Sequence, residues 1–160
     1  MLDHLEALRR VEETPDRVGA RVVVLDVVGH VQGVGLGERL ATAGRDVTVV
    51  CPLPVLLACD GETQAAILPR AAQAGVVWRP STAMAAIGDH RVTLVDVLTR
   101  QIVDLDDVDT VAICTNGVPD DALFHALIDR GPELVRIGDA VAVRPVDRAV
   151  FDGHRVGRAL

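Results

Sequence analysis

The chain has 160 residues, a net charge of −7, 49% hydrophobic residues and only 2% aromatics. That length fits one domain burying roughly 70% of the surface of its unfolded chain, so neither a metal nor disulfides are needed for it to fold. The acidic balance, with a pI near 5.1 and an arginine at each of the 16 basic positions, argues against a nucleic-acid surface.

Cys51, Cys59 and Cys114 have neither the even count nor the close spacing of a disulfide framework or metal knuckle, and the five histidines are scattered. No metal site is expected, and a reducing cytoplasm fits best. The first residues are charged and lack the apolar core of a signal peptide. Nowhere does a run of about 18 apolar residues occur, so no membrane span is expected.

In chain order, residues 1–20 read as a helical lead-in or linker, with Leu2, Leu5, Leu8 and Val11 spaced along one helix face. Arg21–Asp26 is a buried strand. Gly29, Gly33, Gly35 and Gly37 then predict a sharp turn that brings the backbone close to a ligand, before Glu38–Ala41 continues a helix ended by Gly44. A second strand, Asp46–Cys51, follows at once, giving half of a dinucleotide-binding fold. A phosphate at such a helix start meets free N–H groups and the positive end of the helix dipole, worth about 0.3–1 kcal/mol per exposed charge. The fingerprint is irregular, because Asp26-Val27-Val28 precede Gly29 where the usual turn has a glycine directly after the strand. The same glycines also suit a tight strand-to-helix turn with no nucleotide bound.

Pro52 and Pro54 break the chain, Glu62–Ala74 resumes as an alanine-rich helix ended by Gly75, and Val76–Trp78 reads as a third parallel strand. The segments Ala83–Ile87, Arg91–Val97 and Gln101–Leu105 read as an antiparallel meander. Asp109–Cys114 returns as a buried parallel strand, Asp120-Asp121 cap a helix ending near Arg130, and Leu134–Ile137 reads as a last strand. A helix from Val146 to Leu160, weakened by Gly153 and Gly157, closes the chain.

The order of these pieces, with Asp26, Gly29-His30, Gln32-Gly33 and Glu38, resembles the C-terminal NAD(P)/FAD-binding region of the family containing 2,4-dienoyl-CoA reductase and trimethylamine dehydrogenase, the old yellow enzyme-like NADH:flavin oxidoreductases. Val135–Asp139, Ala142–Pro145 and Ala149–Arg155 are similar to that family's closing flavin-contacting segment. Thr115–Asp120 resembles the loop where the chain crosses back between the nucleotide domains. The resemblance covers nearly everything from Arg21 to Leu160. It implies an α/β fold: a Rossmann-like parallel sheet with a β-meander insertion, plus the closing strand and helix of an FAD-type domain. Residues 21–118 would be the NAD(P)-type domain and 119–160 the C-terminal segment of an incomplete FAD-type domain.

In full-length family members an N-terminal barrel carries FMN and an iron–sulfur cluster, and a first βαβ unit binds the FAD or ADP pyrophosphate. Neither has a counterpart here. A flavoprotein partner chain or a homo-oligomer is therefore expected to cover the apolar face of the closing helix. The implied cofactors are FAD, shared with that missing half, and NAD(P) or ADP.

Carried over residue by residue, Asp26, Gly29, His30, Gln32, Gly33 and Gly35 form the nucleotide turn, Asn116 and Gly117 the crossing loop, and Gly138-Asp139 the flavin contact, with the Asp carboxylate accepting hydrogen bonds from the ribityl chain. Two alternatives stay open: Gly138-Asp139 also suits an ordinary capped turn, and His30 and Gln32 either touch phosphate or ribose or only hold the loop. Cys51-Pro52 stand where an acidic residue would accept the ribose hydroxyls of NAD, so NAD preference is not supported. Arg45 and Arg79 are candidates for a 2′-phosphate or are simply solvated. Thr115-Asn116-Gly117 replaces the Ala-Thr-Gly-Arg common in relatives, losing a cation.

Hydride chemistry in such proteins belongs to the cofactor, so no catalytic acid or base need be present. The reading is an oxidoreductase subunit or domain passing electrons between NAD(P)H and FAD toward an FMN-type barrel. Its alternative is a degenerate, non-catalytic ADP-binding or assembly module.

Overall fold

The computed structural model of the chain describes residues 1–131 and 133–159. Two compact units divide it, Met1–Thr115 and Asn116–Leu160.

In the first unit a five-stranded parallel sheet has the order β1-β8-β2-β3-β4, built from β1 (Leu2–Asp3), β2 (Arg21–Asp26), β3 (Asp46–Val50), β4 (Val77–Arg79) and β8 (Thr110–Cys114). Parallel neighbours cannot be joined by a tight turn, and the crossovers are helices α2 (Val31–Thr42) and α3 (Gly61–Gln73). Period-two alternation buries both faces of the central strands. Val22, Val24, Val47, Val49, Ala112 and Cys114 face Val34, Leu36, Leu40, Ile67 and Ala71 of the helices. Val23, Val50 and Val111 face Val92 and Leu94 of the antiparallel sheet formed by β5 (Thr82–Gly88), β6 (Arg91–Asp96) and β7 (Ile102–Asp106). The unit is thus a Rossmann-like sheet with helices on one face and the meander on the other.

Two expectations are corrected in this unit. Leu2, Leu5, Leu8 and Val11 do not share one helix face, because Leu2 pairs with Ala112 in the sheet and α1 (His4–Glu13) begins only at the cap where the Glu6 N–H donates to Asp3 Oδ1 at 2.8 Å. That start rotates Ala7 and Val11 into the core beside α2 and leaves Leu5 66% exposed. The glycine turn is also shorter than expected. Helix α2 begins at Val31, so Gly33, Gly35 and Gly37 are helical and only Gly29, at φ +67°, bends the chain.

In the second unit α4 (Ala122–Leu127) stops short of Arg130, and α5 (Val146–Gly157) ends before Leu160, which lies outside the described residues. Leu134–Ile137 does not form the expected strand. A strand exists by pairing its backbone groups with a neighbour, and the described residues of this unit supply none.

Candidate functional site

Strand β2 lies where the strand order reverses: β3 and β4 continue to one side, and β8, arriving after the meander, pairs on the other. Open α/β sheets hold ligands at the carboxyl ends of strands at such a point. At the end of β2 stands Asp26, wholly buried and in register with Cys114 of β8. Its Oδ1 accepts hydrogen bonds from the Val28 N–H at 3.0 Å and the Gly29 N–H at 2.9 Å, while its Oδ2 is buried without a partner. Burial pushes the Asp26 carboxyl above its ordinary value, against the pull of the Gly29 and Val28 amides and the His30 charge. The same desolvation, with the Asp26 charge added, lifts the Cys114 thiol to about 12.

Gly33 faces this carboxylate. A Cβ on it would stand 2.5–2.6 Å from Asp26 Cβ, Cγ and Oδ2, so the missing side chain is what lets α2 approach β2. Gly35 has nothing within 4 Å of such a Cβ, and Gln32 is exposed. Gly37, expected in the sharp turn, instead meets the Val49 side chain at 2.6 Å and serves helix-to-sheet packing. His30 occupies the cap position of α2 without a side-chain cap bond, and its Nδ1 is buried without a partner. The turn therefore gathers Asp26, Gly29, His30 and Gly33, whereas Gln32 and Gly35 lie along the helix surface.

Sequence reasoning missed what covers this turn. The Ala58 N–H donates to the Gly29 carbonyl at 2.9 Å, and Leu53 Cδ1 and the Leu57 N stand 2.6 and 3.4 Å from where a Gly29 Cβ would lie. The signal was confined to Leu53 and Leu56, which are half-buried and buried, while Val55 and Leu57 of the same run stay exposed. Of the two arginines considered for a 2′-phosphate, Arg45 donates to the Pro15 carbonyl at 2.8 Å, beside the amino end of β3. Arg79 pairs with Val50 at the carboxyl edge, with its Nε buried and unpartnered.

In the second unit Gly138 is buried at φ +59° and opens a short turn, Gly138–Ala140. Its N–H donates to Asp152 Oδ2 at 3.4 Å, and Arg144 Nη2 donates to the same oxygen at 2.5 Å. Against the cost of desolvation, these contacts hold the Asp152 carboxyl below its ordinary range. Asp139 is exposed, and its Oδ1 accepts only a long bond from the Arg144 N–H at 3.4 Å. Gly117 lies against Val143, where an added Cβ would stand 3.2 Å from Cγ2, so the exposed Asn116-Gly117 loop and the segment after Asp139 run side by side. A groove of about 300 Å³ in this unit is lined by Phe124, Leu127, Val135, Arg136, Ile137 and Ala140 among others. Asp121, expected as a cap, instead pairs with the Arg136 guanidinium, which sits over the Phe124 ring.

These two units have counterparts in known oxidoreductases. The chain is 26% identical to dimethylamine dehydrogenase of Hyphomicrobium sp. (strain x) over 188 aligned residues, 99% of this chain and 25% of that protein. It superposes on histamine dehydrogenase from Rhizobium sp. 4-9 with a TM-score of 0.85 at 28% identity, covering 99% of this chain and 26% of the other. A 2-naphthoyl-CoA reductase shares the fold at a TM-score of 0.77 and 21% identity, covering 98% of this chain and 24% of the other. The chain thus spans about a quarter of the length of these relatives. No family model matches it.

Proposed function

We propose that this chain is the nucleotide-binding part of a flavin-dependent oxidoreductase akin to the trimethylamine dehydrogenase and dienoyl-CoA reductase family, incomplete by itself. The carrying observation is a Rossmann-like parallel sheet whose order reverses at β2, followed in the chain by a unit whose Gly138–Ala140 turn exposes the Asp139 carboxylate. The match to dehydrogenases along nearly the whole chain supports it and disfavours a degenerate assembly module. In this reading residues 21–118 are the NAD(P)-type domain and 119–160 the closing segment of an FAD-type domain, and electrons pass through FAD toward an FMN-type barrel acting on an amine or an enoyl thioester.

The residues of the second unit fit a flavin. Gly138 lets the turn pack against Ala149 of α5, which leaves the Asp139 carboxylate exposed with only a long bond from the Arg144 N–H and able to take ribityl hydroxyls, and the Asn116-Gly117 loop lies against Val143. When bound, the flavin supplies the electron-transfer chemistry; the protein's part is to orient it and keep it dry. Exposed apolar side chains on α4 and α5, among them Leu123, Val146, Val150 and Phe151, are the surface that a flavoprotein partner chain or further domain would cover. A pyridine-nucleotide pyrophosphate does not fit the β2–α2 turn as it stands, because the Val28 and Gly29 amides already bond Asp26.

The test is native mass spectrometry of the protein purified gently from its own cells. The expected spectrum shows the chain with a flavoprotein and retained FAD. A bare monomer or homodimer without nucleotide would overturn the proposal.

A further inference from the structure

We infer that the Asp26 carboxylate is a built-in anion filling the phosphate cradle of the β2–α2 turn, so that a dinucleotide pyrophosphate is rejected there while Asp26 is in place. The inference rests on reading this turn as dinucleotide-type, and it names the residue that decides what the turn accepts.

A phosphate at a strand-to-helix turn is held by successive backbone N–H groups, at a point where the helix dipole favours negative charge. Here the Val27 N–H donates to the Cys114 carbonyl, and the next two N–H groups, on Val28 and Gly29, converge on one carboxylate oxygen at 3.0 and 2.9 Å. The gap that Gly33 leaves between helix and strand is occupied as well: Asp26 Oδ2 lies 2.6 Å from where a Gly33 Cβ would be. The outer side of the turn is closed by the Ala58 bond to the Gly29 carbonyl and by the Leu53 side chain. An arriving pyrophosphate would have to break both amide bonds and would face a like charge at contact distance, which is a repulsive device for specificity. His30 is the titratable group whose charge acts on Asp26. Its half-buried ring does not replace the amide donors.

The experiment titrates inorganic pyrophosphate and NADPH into the full chain, its Asp26→Ala variant, which frees both amides, and its Asp26→Val variant, which also removes the acceptor and the charge but retains more apolar volume should the alanine variant fail to fold. Calorimetry reads affinity, and hydrogen exchange reads protection of residues 27–33. The expected result is that a folded variant binds at least roughly tenfold more tightly than the parent, with new protection in that segment. If the parent binds as tightly as the variants or more so, the inference is overturned, while the dinucleotide reading of the turn survives. If none of the three binds, the inference falls together with any NAD(P) role for this unit, and the flavin assignment at Gly138-Asp139 is untouched.

Discussion

Replacing Gly33 with alanine tests the closest approach in the fold. Alanine in a helix interior ordinarily gains up to about 1 kcal/mol over glycine. At this position the new methyl would lie 2.5 Å from Asp26 Cβ and 2.6 Å from Cγ and Oδ2. Carbon atoms pack at about 3.5–4.0 Å, so helix or strand must retreat by about 1 Å. Asp26 cannot simply rotate away, being wholly buried and held by two backbone amides. Overpacking of this kind costs about 1–3 kcal/mol, and loosening the amide bonds adds to it, for a net loss of about 2 kcal/mol. At about 2–4 °C per kcal/mol the Tm falls by about 6 °C. Gly35→Ala is the internal control, since nothing lies within 4 Å of its Cβ position, and it should be stabilised by up to about 1 kcal/mol. Urea unfolding followed by the fluorescence of Trp78, the sole tryptophan and a residue of β4, reads both variants. Asp26→Gly moves the missing side chain from helix to strand and should recover about 1–2 kcal/mol of the Gly33→Ala loss in a double-mutant cycle. Equal stability of the Gly33→Ala and Gly35→Ala proteins would refute the helix-to-strand contact.

Because burial raises the Asp26 carboxyl above its ordinary 3.8, the folded state keeps a proton that the unfolded state has lost in the window just above that value. Stability should therefore decline as pH rises through that window, and the difference from Asp26→Asn, measured by urea unfolding against pH, should show the slope; a flat difference would contradict it. The Cys114 thiol at about 12 and the wholly buried Cys51 should stay unalkylated by iodoacetamide at pH 8, while the part-exposed Cys59 is modified first. Mass spectrometry showing Cys114 labelled at the Cys59 rate would sink that expectation. Gly138→Ala puts a side chain at φ +59° with its Cβ 3.3 Å from Ala149 Cβ, which should cost about 1–2 kcal/mol. Faster hydrogen exchange across residues 138–157 is the readout, and unchanged exchange would count against the turn.

The amino-acid order by itself determined the parallel strands, the meander and the helices between them, because Val22–Leu25 and Val111–Cys114 carry unbroken apolar runs and Val47–Val50 a β-branched one, each bounded by turn residues. It also marked the end of β2 as the place to look, through Asp26 and Gly29. Only the tertiary structure decided what those residues do there. Helix α2 could begin as early as Val31 because Gly33 and Gly37 let it lie against Asp26 and Val49, contacts that local spacing does not encode. The apolar letters of Leu134–Ile137 looked like those of any strand, yet hydrogen-bond partners make a strand, and the described residues of that unit provide none. The carboxylate at the turn followed the same rule: its charge was legible in the sequence, but its burial and its two amide bonds depend on how closely helix and strand pack in space.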